Sequence, residues 1–153
     1  MYLFMVMTQE QAEEIAYTWH YDGVYSFYNM EADEEDLAEF LDPAVRKGSV
    51  YAVSIAQDLV GFLSMNRVRE DTIDIGLGLK PELTGRGAGA EFMTAGLNFI
   101  QKEFGVDKVT LAVATFNQRA IKLYRNVGFE DVEVFMQETN GSTYEFLRME
   151  YYY

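Results

Sequence analysis

The fold is decided by the stretch Asp74-Ile75-Gly76-Leu77-Gly78-Leu79-Lys80-Pro81-Glu82-Leu83-Thr84-Gly85-Arg86-Gly87-Ala88-Gly89. In its first half, apolar residues alternate with glycines or charged residues, which is the two-residue period of a β-strand. Beyond the stretch, apolar residues recur at helical spacing, as Met93, Leu97, Ile100 and Phe104 do. The glycines of the intervening loop let the backbone approach a ligand closely. Because the helix adds the positive end of its dipole, the stretch predicts a binding site for a phosphate-bearing ligand.

Three kinds of glycine-rich phosphate loop compete for this stretch. A P-loop requires Lys-Ser or Lys-Thr after its last glycine, and the chain has Ala90-Glu91 there, so that kind is excluded. A dinucleotide-binding loop is matched in degenerate form by Gly85-x-Gly87-x-x-Ala90. That loop also calls for an acidic residue at the end of the next strand. The next predicted strand is followed by Thr115-Phe116-Asn117, which disfavours a dinucleotide site.

The third kind of loop is supported by two blocks that resemble signatures of the GNAT superfamily of N-acyltransferases. Gly85-Arg86-Gly87-Ala88-Gly89 resembles the acyl-CoA pyrophosphate loop, Arg/Gln-x-x-Gly-x-Gly/Ala, with Thr84 in place of the Arg or Gln. Asn117-Gln118-Arg119-Ala120-Ile121-Lys122-Leu123-Tyr124-Arg125-Asn126-Val127-Gly128-Phe129 resembles the second signature, Asn-x-x-Ala-x-x-x-Tyr-x-x-x-Gly-Phe. The loop alone is a weak signal, but both blocks in this order, separated by one strand, form a specific pattern. The run from Asp74 to Gly85 is also similar to a bacterial subgroup of the superfamily.

The resemblance implies an α/β fold of the GNAT acyl-CoA N-acyltransferase type. It consists of a central mixed β-sheet of about six to seven strands with helices on both faces, in a single domain over residues 1–153. The sequence pattern itself predicts the order βααβββαβαββ. It places strands at Thr72–Leu79 and Lys108–Ala114, a helix from Gly87 to Phe104, an acidic helix from Asp33 to Leu41 that stops at Asp42-Pro43, and a hairpin turn at Asn140-Gly141.

The cofactor implied by the resemblance is acetyl-CoA, or coenzyme A after the reaction, used as a co-substrate with no metal. Gly76 and Gly78 share a strand face with Asp74, and their missing side chains predict a trough along the strand. A glycine inside a strand destabilises it by about 0.5–1 kcal/mol, which favours close approach of a ligand over helix packing as the reason for these glycines. The residues implied to bind the cofactor are Leu77, Gly78, Leu79, Thr84, Gly85, Arg86, Gly87, Ala88, Gly89, Ala90 and Asn117.

The resemblance also implies catalytic roles. Tyr124 corresponds to the general acid that protonates the coenzyme A thiolate; the alternative is a core aromatic residue. Some members of the superfamily carry a glutamate base on the strand before the second block, and this chain has Ala112 there. That leaves Asp74 as the nearest carboxylate, a candidate base or acceptor-orienting group, with the single histidine, His20, as a weaker candidate.

The segment from Tyr17 to Tyr28 is rich in aromatic residues and precedes the place where GNAT proteins build the acceptor wall. Tyr25, Phe27 and Tyr28 are therefore candidate substrate-binding residues. The alternative is that these three side chains cover the core beneath a loop.

Composition restricts the function further. A formal net charge of −13 argues against binding nucleic acid through its phosphates and is compatible with a cationic acceptor. No apolar run reaches membrane-span length, and Tyr2 to Met7 lacks the basic flank of a signal peptide, so we expect a cytoplasmic protein without a membrane partner. The chain has no cysteine and therefore no thiol nucleophile or thiolate metal site. The sequence leaves a homodimer open.

Two functions of different class follow. The first is an N-acetyltransferase in which a primary amine of a small-molecule or peptide acceptor attacks acetyl-CoA directly in a ternary complex. The second is a non-catalytic acyl-CoA-binding or sensing module. Thr84 and Ala112 favour the second function, whereas retention of Tyr124 favours the enzyme.

Overall fold

The computed structural model describes all residues, 1–153, as one seven-stranded sheet with helices. The strands are β1 (Leu3–Val6), β2 (Val50–Ile55), β3 (Asp58–Arg69), β4 (Thr72–Leu79), β5 (Lys108–Ala114), β6 (Glu130–Thr139) and β7 (Ser142–Tyr152). The α-helices are α1 (Gln9–Thr18), α2 (Glu34–Leu41), α3 (Pro43–Arg46), α4 (Gly89–Phe104) and α5 (Gln118–Val127). Short 3-10 helices cover Gly23–Tyr28, Met30–Ala32 and Pro81–Leu83.

The strands are arranged in the order β1-β2-β3-β4-β5-β7-β6. Only β4 and β5 pair in parallel, and α4 provides the crossover between them. All other neighbouring strands are antiparallel. The predicted mixed sheet is therefore confirmed.

Two apolar clusters cover opposite faces of the sheet. One contains the buried side of α4, including Leu97 and Ile100, together with Val53 of β2. The other contains Ile15 of α1 and Ala52 of β2. Adjacent residues of β2 therefore point into different clusters, as expected for a strand covered on both faces. The predicted helices on both faces are confirmed.

The feature that positions the site is a gap between β4 and β5. The two strands pair over only three positions, Thr72↔Lys108, Ile73↔Val109 and Asp74↔Thr110. Beyond Asp74 both strands continue, β4 to Leu79 and β5 to Ala114, but they no longer pair with each other. Each still pairs with its outer neighbour, so the sheet opens in its middle and one backbone edge of each strand is left free.

Local expectations hold with two corrections. The long helix begins at Gly89 rather than Gly87, because Gly87 has a φ of 81° and lies outside the helical region. Asp42-Pro43 ends α2 as predicted but also starts α3, since the Asp42 carboxylate accepts a hydrogen bond from the Ala44 N–H. Asn140-Gly141 forms the predicted turn with positive φ at both residues. None of the helices combines the length and apolar character needed to cross a membrane.

Candidate active site

A cavity of about 650 Å³ occupies the gap between β4 and β5. The free edge of β4, from Ile75 to Leu79, lines one side. Leu111, Ala112 and Val113 of β5 line the other. The glycine-rich loop and α5 bound the cavity on one face of the sheet, and the aromatic segment after α1 bounds it on the other. The sheet itself therefore joins two half-sites through its opening.

The glycine-rich loop presents a run of free backbone donors. None of the N–H groups of residues 85–91 donates a hydrogen bond to another group of the protein. Gly85 and Gly87 have φ values of 72° and 81°, which turn successive peptide groups inward. The helix that follows has no side-chain cap at Ala88. The loop therefore has the donors and the dipole of an anion-binding site.

The structure brings most of the predicted cofactor residues to this cavity. Those that line it are Leu77, Gly78, Leu79, Thr84, Gly85, Gly87, Gly89, Ala90 and Asn117. Arg86 and Ala88 belong to the loop but do not line the cavity. Asn117 caps α5, as predicted, by accepting a hydrogen bond of 3.2 Å from the Ala120 N–H. The predicted contacts of these residues with a cofactor stay predictions.

The predicted trough along β4 has a different origin from the one expected. A Cβ on Gly78 would clash with the ring of Phe62, and a Cβ on Gly76 would lie 2.6 Å from the Ser64 hydroxyl. Both places are therefore filled by side chains of the neighbouring strand β3, which pairs with β4 at these positions. The open space arises from the divergence of β4 and β5, and the glycines allow β3 side chains to pack across β4.

Tyr124 is the predicted acid, and its side chain lines the cavity from α5. The side chain is half-buried, yet its hydroxyl makes no hydrogen bond with any protein group. A hydroxyl that lines a cavity without a protein partner is free to donate a hydrogen bond to a ligand. Burial raises the pKa of Tyr124 well above its usual value, with a smaller contribution from Tyr28. The hydroxyl is therefore protonated throughout the neutral range.

The prediction for Asp74 is not supported by the geometry. Its carboxylate does not line the cavity and accepts a hydrogen bond of 2.7 Å from the Thr110 hydroxyl. Asp74 and Thr110 form the last pair of the parallel ladder, so the carboxylate lies where the strands are still joined. His20 also lies outside the cavity, on the surface, with its Nε2 2.6 Å from a Glu31 carboxylate oxygen. No aspartate, glutamate or histidine lines the cavity.

Two of the three predicted acceptor residues reach the cavity, and the geometry of their helix explains why the third does not. Tyr25 and Tyr28 line the cavity, whereas Phe27 does not. They lie on a 3-10 helix, where residues three apart share a face, so Phe27 points another way. Its ring packs instead against Phe116 and Tyr144, with centroids 5.3 and 4.8 Å away. Phe27 is thus a packing residue, as the alternative for this segment proposed.

The side of the cavity opposite the loop is lined by a larger aromatic set than the sequence indicated. We call this set the aromatic wall: Trp19, Tyr21, Tyr25, Tyr28 and Phe62, together with Met30. The Tyr21 hydroxyl donates a 2.7 Å hydrogen bond to the Leu79 carbonyl, which ties the wall to the end of β4. The Asn117 side-chain amide donates a 3.3 Å hydrogen bond to the Tyr28 hydroxyl, which connects the aromatic wall to the start of α5.

A family model described as the acetyltransferase (GNAT) domain matches residues 3–130. The chain belongs to the GNAT acetyltransferase family. The predicted superfamily is therefore confirmed, and the predicted class, an acetyl-CoA-dependent N-acyltransferase, is that of the matched family.

Curated relatives of this GNAT domain include two mycothiol acetyltransferases. The protein from Corynebacterium aurimucosum is 32% identical over 127 residues, which are 77% of this chain and 40% of that protein. The protein from Propionibacterium freudenreichii subsp. shermanii is 33% identical over 98 residues, or 61% of this chain and 30% of that protein. The chain thus spans two fifths or less of the length of these two relatives.

Solved structures share the fold of this GNAT domain over nearly its whole length. A GNAT-family acetyltransferase from Bacillus anthracis superposes with a TM-score of 0.78 at 17% identity, covering 99% of this chain and 94% of its own. Spermidine N-acetyltransferase from Vibrio cholerae, in complex with CoA and spermine, gives a TM-score of 0.77 at 18% identity, covering 99% and 95%. At these identities the likeness establishes the fold.

Two basic residues of the GNAT domain's cavity were missed by sequence reasoning. Arg119 and Lys122 are the only charged side chains that line it, and neither forms an ion pair. The Arg119 guanidinium also lies near the loop, with Nη1 3.2 Å from where a Cβ on Gly85 would stand. Their spacing of three residues on α5 places both on one helix face, a signal that was present in the second motif block.

Proposed function

We propose that this GNAT domain transfers an acetyl group from acetyl-CoA to a primary amine of a small-molecule or peptide acceptor, by direct attack in a ternary complex. One observation carries the proposal. The unpartnered hydroxyl of Tyr124 lies in the same cavity as the free backbone edge of β4 and the free donors of the glycine-rich loop. An anion site, an extended backbone edge and a proton donor are what acyl transfer from a long phosphorylated thioester requires.

The residues present fit acetyl-CoA. The free N–H groups of residues 85–91 would hold the pyrophosphate, and Arg119 and Lys122 would add positive charge that Thr84 does not supply. The Thr84 hydroxyl donates instead to the Pro81 carbonyl at 2.7 Å. The free edge of β4, at Leu77, Gly78 and Leu79, would pair with the amides of the pantetheine arm. When bound, the cofactor supplies a thioester, an acyl group already activated for attack by an amine.

In this proposal Tyr124 is the general acid that protonates the leaving thiolate. As a new C–N bond formed and the C–S bond broke, the Tyr124 hydroxyl would give its proton to the sulfur. The proton lost by the attacking nitrogen restores the phenol, so charge and protons balance. A thiol of pKa ~8.5 already leaves readily, and the hydroxyl therefore contributes about one or two factors of ten in rate.

Deprotonation of the amine is favoured by its surroundings in the cavity rather than by a carboxylate base. An amine of pKa ~10.4 must lose its proton at pH 7 at a cost of about 4.6 kcal/mol. No carboxylate or imidazole lines the cavity to accept that proton. The aromatic wall disfavours the charged form, since desolvation lowers the pKa of an amine.

The alternative function is a non-catalytic acyl-CoA-binding module. Thr84 in place of the usual Arg or Gln, and the absence of a carboxylate in the cavity, favour it. The two functions share the cofactor and differ in turnover. A screen of amines with acetyl-CoA, monitoring free thiol, tests the enzyme: thiol release that requires both protein and amine supports it. Stabilisation by coenzyme A without thiol release from any amine would identify the binding module.

The cofactor itself is tested by thermal unfolding. Coenzyme A at a hundredfold excess over its Kd should stabilise the fold by about 2.7 kcal/mol, whereas NADH and ATP should do much less. A shift of the melting temperature with NADH and none with coenzyme A would contradict the proposal.

A further inference from the structure

The charges of the cavity point to the class of acceptor. Arg119 and Lys122 are the only charged side chains that line it, and both are cationic. The acceptor side is formed by the aromatic wall. If these two cations pair with the cofactor's phosphates, a ligand with two ammonium groups would have to bury the second one on the aromatic wall without a carboxylate, which is costly.

Carboxylates near the wall are engaged elsewhere. Glu31 pairs with His20 at 2.6 Å, outside the cavity. Glu82 lies close enough to Tyr21 to add to the rise in its pKa that burial causes, but its carboxylate faces Lys80 at 3.7 Å. Asp33 accepts hydrogen bonds from the backbone N–H groups of Asp36 and Asn140. None of these three groups lines the cavity.

The ring faces of the wall are also partly occupied. The guanidinium carbon of Arg119 lies 4.4 Å from the Tyr25 ring centroid, so this cation already takes that face. The Phe62 ring packs across Gly78 and against Phe40, with centroids 5.3 Å apart. Two of the five rings of the wall are therefore already engaged, which makes the wall a poorer cage for a second cation.

Resting on the proposed function, we infer that the acceptor is a primary amine attached to an aromatic or other apolar body, with no second cationic group. Its apolar body packs on the aromatic wall, and its single nitrogen reaches the gap between β4 and β5. Flat aromatic groups gain both area and ring contacts on such a wall. Polyamines, whose additional ammonium groups would lie on the aromatic wall without a carboxylate partner in the cavity, are poor acceptors.

A matched pair of amines tests this inference. 4-Phenylbutylamine and 1,4-diaminobutane share the same four-carbon chain and differ in a phenyl ring against a second ammonium group. The expected kcat/KM with acetyl-CoA is at least about tenfold higher for 4-phenylbutylamine. Equal or higher kcat/KM for the diamine would overturn the inference while leaving the proposed acetyl transfer standing.

A second readout does not depend on turnover. Trp19 is the only tryptophan of the chain and belongs to the aromatic wall, so its fluorescence reports binding there. 4-Phenylbutylamine should change this signal in a saturable way, and 1,4-diaminobutane should require at least about tenfold higher concentration. Binding of the phenyl amine without thiol release would support the inference and contradict the proposed activity. A phenyl amine that neither binds nor reacts would overturn the inference.

Variants sharpen the comparison. Met30→Glu places a carboxylate in the wall and should shrink or reverse the preference for the phenyl amine. Met136→Glu is the matched control, because Met136 is 61% exposed on β6 and does not line the cavity; the preference should not change. Should Met30→Glu fail to fold, Tyr28→Glu makes the same test at an exposed position of the wall. An unchanged preference in a folded wall variant would contradict the inference.

Discussion

Arg119 lies over the ring of Tyr25, with its guanidinium carbon 4.4 Å from the ring centroid. Arg119 extends from α5 beside the glycine-rich loop, and Tyr25 belongs to the aromatic wall. One side chain therefore lies beside both half-sites of the cavity. A substitution of Arg119 should therefore affect both the binding of the cofactor and the placement of the Tyr25 ring in the aromatic wall.

The first prediction concerns this arginine. Arg119→Ala should weaken coenzyme A binding by about tenfold or more, about 1.4 kcal/mol, because a charged partner of the phosphates is lost. The salt dependence of the Kd should also decrease. Isothermal titration at two ionic strengths measures both quantities.

The control for Arg119 lies on the same helix. Arg125 is exposed and pairs with Asp131 at 2.6 Å, away from the cavity. Arg125→Ala removes the same charge from α5 and should leave the Kd for coenzyme A nearly unchanged. Equal losses in both variants would mean that Arg119 acts only through the net charge of the protein.

The second prediction concerns the loop. Gly87→Val should abolish most coenzyme A binding, because a β-branched residue disfavours the φ of 81° that aims the loop's N–H groups inward. Differential scanning fluorimetry with and without coenzyme A measures the effect. The matched control is Gly48→Val, since Gly48 has a φ of 76° and open space around it but lies outside the cavity. Both variants should lose stability, but only Gly87→Val should lose the rise in melting temperature that coenzyme A causes. A full rise in Gly87→Val would mean that the pyrophosphate does not bind at this loop.

The third prediction separates two glycines by their surroundings. Gly78→Ala should destabilise the fold by about 1–3 kcal/mol, because its Cβ would overlap the Phe62 ring, which must shift from its packed position. Gly96→Ala, in the middle of α4, should be neutral or stabilising by up to about 1 kcal/mol, since its Cβ would meet Leu63 at an ordinary 4.0 Å. Denaturant titration of both variants measures the sign. Destabilisation of similar size at both positions would contradict the packing described for β4.

The success and the failures of sequence reasoning have physical causes. The bounds of β4 and β5 were predicted to the residue, because strand period and glycine punctuation are local properties. The position of Asp74 relative to the cavity was not predicted. It depends on where β4 and β5 stop pairing, which is a property of the two strands together. Phe27 was misplaced because the sequence does not reveal that Gly23–Tyr28 is a 3-10 helix, whose phase separates Phe27 from Tyr25 and Tyr28.

Arg119 illustrates a different limit. Its position inside the second motif block was visible, but its contact with Tyr25 joins residues far apart in sequence. The aromatic wall has the same origin, since Trp19, Phe62 and Met30 come from separate elements that meet only in the folded chain. Local patterns therefore indicated the loop and Tyr124, whereas the aromatic wall required the tertiary structure.

The last prediction concerns Tyr124, whose role separates the enzyme from the binding module. Tyr124→Phe keeps the ring and its packing against Phe129, with centroids 5.9 Å apart, and deletes only a hydroxyl that has no protein partner. Stability should therefore stay the same or rise slightly, and the Kd for coenzyme A should barely change. If the hydroxyl protonates the leaving sulfur, kcat should fall by about tenfold or more, about 1.4 kcal/mol of barrier. The loss should shrink with an acyl donor whose thiol is more acidic, because that thiolate needs less help.

Two further measurements make the Tyr124 result specific. Because burial raises the pKa of Tyr124 above its usual value, the hydroxyl stays protonated at neutral pH, and the ratio of parent to variant rates should be constant between pH 6 and 8, a range well below the ordinary tyrosine pKa of ~10. Tyr153→Phe is the control, since its hydroxyl donates to the Leu97 carbonyl at 2.6 Å outside the cavity. That variant should lose stability and keep its kcat, the reverse of Tyr124→Phe. Equal kcat for the parent and Tyr124→Phe, with a competent acceptor and chemistry limiting the rate, would remove Tyr124 from the mechanism.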